Sequence, residues 1–216
     1  MKKLFVLGLS LALVAGGMSS CKKTNAGKFS NDWKVTKYES KDLNTYSSGD
    51  KDEETVTMEG DKYTEVSSTT SGGNTTTATK NGTVKEFAYT INKDGSWSSV
   101  LDFTTTDSGV EVHKNIEASG TWYFLSKNKT SEFKKNEKVV FSTLKYSQKT
   151  DVTTTLGTTS TAGTDTYADG ESVEVFLIKE SKKKSLVLES ESNTSSTDNS
   201  GTDTWTNKTT ITMEQK

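Results

Sequence analysis

The chain holds one histidine, His113, one cysteine, Cys21, and no arginine. Those counts narrow its chemistry before any element is placed. A serine triad would have to recruit His113 as its base, and no Gly-x-Ser-x-Gly elbow is present to carry a nucleophile. Zinc sites of the usual kinds draw on several His and Cys ligands together, more than this chain supplies. Without arginine there is no bidentate grip on phosphates or carboxylates. Asp50, Asp52, Glu53 and Glu54 gather oxygens of the kind calcium takes, but their spacing fits no binding loop, and a solvated turn is expected. Paired carboxylates for glycoside hydrolysis are defined by separation in space, and nothing in the sequence selects a pair. His113 ends the run Val110-Glu111-Val112-His113, where alternation sets it opposite Val110 and Val112. That is the place of a surface strand residue, although a lone histidine also suits a general base or a ligand. The expectation is a chain with no enzymatic activity, no cofactor and no metal.

Apolar recognition is the remaining chemistry. Phe87, Tyr89, Trp97, Phe103, Trp122 and Phe124 fall where an interior face would carry them. There they either line a ligand cavity or fill a solid core.

The N-terminus carries an address. Lys2 and Lys3 precede an apolar stretch from Leu4 to Ala15 and a small, weakly polar run to Ser20, the three parts of a secretory signal. The stretch is 12 residues long, whereas a helix needs roughly 20 to span a bilayer. Met18-Ser19-Ser20-Cys21 resembles the lipobox of bacterial lipoproteins. That resemblance implies cleavage before Cys21 and a lipid on its thiol. Two or more chains anchor stably where one is marginal. With Cys21 the only cysteine, no intramolecular disulfide can form. Residues 1–20 are therefore read as the signal peptide and 21–28 as a lipidated, polar tether. A membrane, reached through the lipid, is an expected partner, and so is a small hydrophobic ligand where the aromatics line a cavity; the residues name no protein partner. Lys22 follows the cysteine where Asp would imply inner-membrane retention in well-studied lipoproteins, and Lys22-Lys23 lacks the acidic residues of some surface-exported ones. The outer membrane and its periplasmic face are expected.

Composition bounds the rest. Removing Lys2 and Lys3 with the signal leaves 25 basic residues against 29 acidic ones, a net charge of −4, which offers no footprint for nucleic acid. Leu, Ile, Val and Phe make up about a sixth of the mature chain, below the roughly 20% at which disorder competes with folding. The small net charge, 4 Trp and 7 Tyr argue for packed β structure instead. Ser and Thr supply roughly three residues in ten, and β-branched Thr suits a half-wet pleated surface.

Strand signals recur along residues 29–216, read as one domain. Trp33 to Tyr38 alternates apolar and polar. Thr55–Met58 and Tyr63–Val66 flank Gly60-Asp61, and Phe87–Ile91 and Trp97–Phe103 flank Asp94-Gly95, both turn pairs that supply positive φ. Further strands are expected at Val110–Ile116, Thr121–Leu125, Val139–Tyr146, Val173–Lys179, Ser185–Glu189 and Thr209–Met213. The fold class is all-β, a barrel or a sandwich. Three hairpins have apolar roots and Ser/Thr-rich tips, around Ser71-Gly72-Gly73-Asn74, Thr158–Gly163 and Ser195–Gly201. Each is either a polar ribbon projecting from a compact core or a disordered low-complexity loop. The four tryptophans, at 33, 97, 122 and 205, follow no repeat.

Several of these segments, in order, resemble the lipocalin-like lipoproteins of Gram-negative bacteria. They are Trp33-Lys34-Val35-Thr36, Ile91 to Trp97 through Asp94-Gly95, Gly120-Thr121-Trp122-Tyr123, Val175 to Ile178 and Lys184 to Glu189. The resemblance implies an antiparallel up-and-down barrel around a cavity for a small hydrophobic or amphipathic molecule. The departures are Asn31, where the family has Gly, and the missing arginine that commonly covers the first tryptophan. The alternative function is a structural or interaction lipoprotein of the cell envelope, whose Thr-rich hairpins meet a glycan or a protein partner.

Overall fold

A chain in which apolar residues alternate with Ser, Thr, Lys and Glu can hide its few large side chains only by curling its strands around them. The computed structural model, described for residues 26–125, 137–198 and 201–216, does this with one continuous antiparallel sheet. A single helical turn, α1 (Ala26–Phe29), leads into β1 (Asp32–Thr45), β2 (Lys51–Glu59), β3 (Lys62–Ser71), β4 (Asn74–Ile91), β5 (Ser96–Asp107) and β6 (Val110–Leu125). Then follow β7 (Lys138–Thr154), β8 (Gly157–Thr166), β9 (Val173–Ser181), β10 (Ser185–Asp198) and β11 (Gly201–Gln215). Strand follows strand up and down, β11 pairs with β1, and β6 pairs with β7 to close a ten-stranded barrel. The expected all-β up-and-down barrel with long Ser/Thr-rich hairpins is the fold observed.

The barrel tapers. At its base β1 pairs directly with β4, Asp32–Lys34 against Thr90–Ala88, so the β2–β3 hairpin never reaches that level. Its turn wedges into the wall instead: Gly60 N–H donates to the Thr36 carbonyl and Val84 N–H to the Asp61 carbonyl. Both flanking strands carry a bulge there, at Val35/Lys37 and Val84/Glu86. An extra residue on one strand bends it and adds twist, which lets two strands part around an inserted pair.

Opposite the wedge, β8 and β9 are two parts of one descending path along β7. β9 pairs with Lys138–Ser142 and β8 with Lys145–Thr154. β10 pairs with β9 only as far as Glu189, and no ladder joins β8 to β10. The wall is thus continuous at the base and split by a seam above it.

The core gathers at the base, with Phe29, Trp33, Val139, Leu186 and Met213 fully buried. The outside is largely polar: of the large exposed apolar side chains among the described residues, Leu43 and Leu156 stand apart, whereas Tyr123 and Val175 flank Val140 in one cross-strand row with Val173 next along β9. A barrel that spans a membrane turns an apolar band about 25 Å tall outward. This wall has the opposite sense, apolar within and polar without.

Several expectations need correction. Val110–Ile116 and Thr121–Leu125 are one strand, bent by a register shift at Ser119/Gly120 rather than broken. β8, whose Gly, Ser and Thr residues signal no apolar face, decides for the ribbon over the disordered loop. The tip of its hairpin lies at Thr155-Leu156, between Thr154 and Gly157, not at Thr158–Gly163. The hairpin segments are ribbons: Ser68–Thr77, Thr70–Thr75, Ser147–Thr164, Thr153–Thr158 and Thr197–Thr202 join hydroxyl to hydroxyl across the strands at 2.7–3.1 Å. The signal peptide, Cys21 and the tether up to residue 25 lie outside the described residues.

Candidate functional site

Above the packed base the barrel holds a solvent-open cavity of about 430 Å³, within the range of roughly 300–1,000 Å³ typical of small-molecule sites. Strand alternation decides what lines it. From β4 come Phe87 and Tyr89, from β5 Trp97 and Phe103, from β1 Tyr38, and from β3 Tyr63. Tyr38 packs on Phe87 with ring centroids 5.7 Å apart, Phe87 on Tyr89 at 5.9 Å, and Tyr89 stacks on Trp97 at 6.2 Å. Tyr63 and Phe103 stack at 4.8 Å across the lumen wall. Such pairs contribute about 0.5–1.5 kcal/mol each beyond area burial.

Four of the six aromatics singled out in the sequence therefore meet in one cavity: Phe87, Tyr89, Trp97 and Phe103. Trp122 and Phe124 are set elsewhere. They pack on Phe29 at the closed end, with centroids 4.9 and 5.4 Å away. α1 carries Phe29 into that place, and the Trp33 indole N–H donates to the Phe29 carbonyl at 2.9 Å. Trp33 is completely buried without an arginine over it.

The cavity also holds residues that the sequence did not single out. Tyr38, Tyr63 and Phe176 were legible as alternating apolar positions. Asp42 and Glu174 were not, because a carboxylate on an inward face contradicts the pattern by which inward faces are recognised. Glu54 belonged to the acidic run, which the register divides: Glu54 joins the cavity lining, whereas Tyr46 donates its hydroxyl to Asp52 at 2.8 Å. No group of acidic, His and Cys residues among the described residues is arranged to hold a metal.

Glu174 faces inward opposite Phe141, and its one hydrogen-bond partner among the described residues is the Ser190 hydroxyl, which donates at 3.4 Å. Glu174 is an exposed residue, although the lumen wall around its carboxylate displaces part of its hydration. That desolvation pushes its pKa up, and the Ser190 bond opposes this only in part. The Tyr89 phenol is raised by burial first and by the Glu174 charge next, and its hydroxyl has no hydrogen-bond partner among the described residues. Tyr38 is raised in the same way, by burial before Glu174. Higher up, Glu65 accepts from Lys80 at 2.7 Å and from the Tyr63 hydroxyl at 2.6 Å. Burial alone would raise Glu65, but those bonds hold it below the ordinary carboxylate value.

His113 lies on the outer wall, as its alternation predicted. Its Nε2 is 2.7 Å from Asp102 Oδ1 and its Nδ1 3.5 Å from Asp151 Oδ2. Lys85 and Lys149 complete the cluster at 3.3 and 2.9 Å from the two aspartates. The ring is braced between two carboxylates, one on each strand flanking its own, facing away from the lumen.

No protein-family model matches the chain, and no curated protein matches it. Among solved structures, a porin-like protein from Bacteroides uniformis is similar to it, with 14% identity over 82% of this chain and 96% of that chain at a TM-score of 0.25. A likeness that loose carries nothing about function.

Proposed function

We propose that this chain is a lipid-anchored envelope protein whose barrel binds a small hydrophobic or amphipathic molecule without catalysing a reaction. The supporting observation is the aromatic-lined cavity of about 430 Å³ inside a barrel with a largely polar exterior. Lipid on Cys21 holds the domain at the outer membrane on its periplasmic face, with the closed base and α1 nearest the anchor in sequence. Native mass spectrometry of the intact protein, extracted without added lipid, tests the reading. A small co-purifying mass is expected, and it should be lost in Val56→Trp, which fills the lumen from β2. A barrel empty in every preparation, and indifferent to fluorescent apolar probes such as N-phenyl-1-naphthylamine, refutes it.

A second reading rests on the ribbons. Leu156 is 97% exposed at the tip of the β7–β8 hairpin, above strands polar on both faces. That tip would meet a glycan or another envelope protein. Removing residues 152–159 should then abolish partner capture while leaving ligand binding intact. The absence of catalysis has its own check: a turnover found in the intact protein and lost in His113→Ala would overturn it.

A further inference from the structure

Resting on the lumen as a binding site, we propose that the preferred ligand is a cationic amphiphile. Its amine or quaternary ammonium head would lie against Glu174 and the rings of Tyr38 and Tyr89, with its tail toward Trp97 and Phe176. Three carboxylates line the cavity, Asp42, Glu54 and Glu174, and among the described residues no lysine lines it with them. The inward lysines Lys80 and Lys114 belong to an adjoining recess with Glu65 and Asp107, where two cations meet two anions. The charge balance of the wall is therefore local, and the deficit of positive charge falls in the aromatic part.

An ammonium is attracted both to a carboxylate and to the face of an aromatic ring, and the attraction grows as water is excluded. Asp42 already accepts from the Asn207 amide at 2.7 Å. Glu54 has no hydrogen-bond partner among the described residues and acts on Tyr63, whereas Glu174 has only the long Ser190 bond and is the carboxylate whose charge reaches both Tyr38 and Tyr89. The Tyr89 hydroxyl, without a hydrogen-bond partner among the described residues, is a second polar group on the same cavity wall. An anionic amphiphile would meet three like charges. A neutral one would offer Glu174 no counter-charge. The seam gives the head group its access. β8 and β10 part above Glu189, and Glu174 and Ser190 sit at the foot of that split.

Isothermal titration of the purified full chain with three tail-matched probes, octyltrimethylammonium, octanol and octyl sulfate, each below its micelle concentration, tests the inference. Octyltrimethylammonium should bind at least about tenfold tighter than octyl sulfate, with octanol between them. Glu174→Gln should bring the cation's affinity down to that of octanol and leave octanol unchanged. Equal binding of the three, or tighter binding of octyl sulfate, overturns the charge preference and leaves the lumen reading standing. Binding of none of the three overturns both. A tenfold preference that persists in Glu174→Gln removes Glu174 from the site. The comparison among probes on the unmodified chain needs no variant to fold.

Discussion

Gly120 shows how one residue can hold a site from outside it. It stands opposite Trp97 in the β5–β6 register, and a Cβ there would overlap the Ser142 carbonyl oxygen. That same oxygen accepts the Trp97 indole N–H at 3.2 Å, so the missing side chain lets β6 and β7 close tightly enough to orient Trp97. Gly120→Ala should cost about 2 kcal/mol or more, because the clash is with backbone rather than with a side chain that can swing away. The check is a fall in Tm of roughly 4–8 °C. Phe29→Ala removes the ring that Trp122, Phe124 and Phe141 pack against. It should cost about 3–5 kcal/mol in chemical denaturation. Glu174→Gln should go the other way. A carboxyl whose folded pKa is raised penalises the fold when ionised, so the variant should melt higher than the parent at pH 8. The difference should vanish as pH falls below the unfolded value of about 4.3. A variant that melts lower at pH 8 would mean that Glu174 is stabilised by partners instead.

At the scale of elements the ribbons are the instructive case. Their strands extend well past the apolar roots that signal them. β10 runs on to Asp198 and β4 begins at Asn74, where every side chain is polar. Alternation marks a strand only where its two faces differ, and in a ribbon wetted on both sides they do not. Register, set by a turn with positive φ at Gly72 and Gly73, and Thr–Thr pairs worth about 0.2–1 kcal/mol each carry the pairing onward instead. Such a ribbon contributes little to the barrel beneath it. Excising Val152–Thr159 and joining Asp151 to Ser160, which are already opposite each other, through Asn-Gly should leave Tm within about 2 °C. A larger loss would show that the ribbon braces the seam.

For the whole molecule, acid is the condition that tests the outer charge network. The Ser160 hydroxyl and Lys149 hold Asp151 down at about 2, and His113 and Lys85 outweigh burial to hold Asp102 below its ordinary value. Lowered carboxylates stabilise the fold above the unfolded pKa of about 3.9 and lose that contribution as pH falls through the folded value. The chain should therefore keep its Tm down to about pH 4 and lose it steeply toward pH 2. Asp151→Asn should melt lower than the parent at pH 7, with the gap closing between pH 4 and pH 2. Thermal melts across that range provide the check. A gap that stays constant with pH would assign the loss to shape rather than charge.

What the sequence determined by itself was the class of fold and most of one face of the site. Two-residue alternation and glycine turns are local properties, and they brought Phe87, Tyr89, Trp97 and Phe103 onto inward positions without any knowledge of what lay opposite. The closed barrel, and no local pattern, puts Trp122 and Phe124 at the base, because their neighbour Phe29 comes from α1, far earlier in the chain. Only it turned Asp42, Glu54 and Glu174 into one lumen. Which side of a closed wall a polar residue meets depends on bulges and on strands paired across long separations, and neither quantity is written in the residues near it.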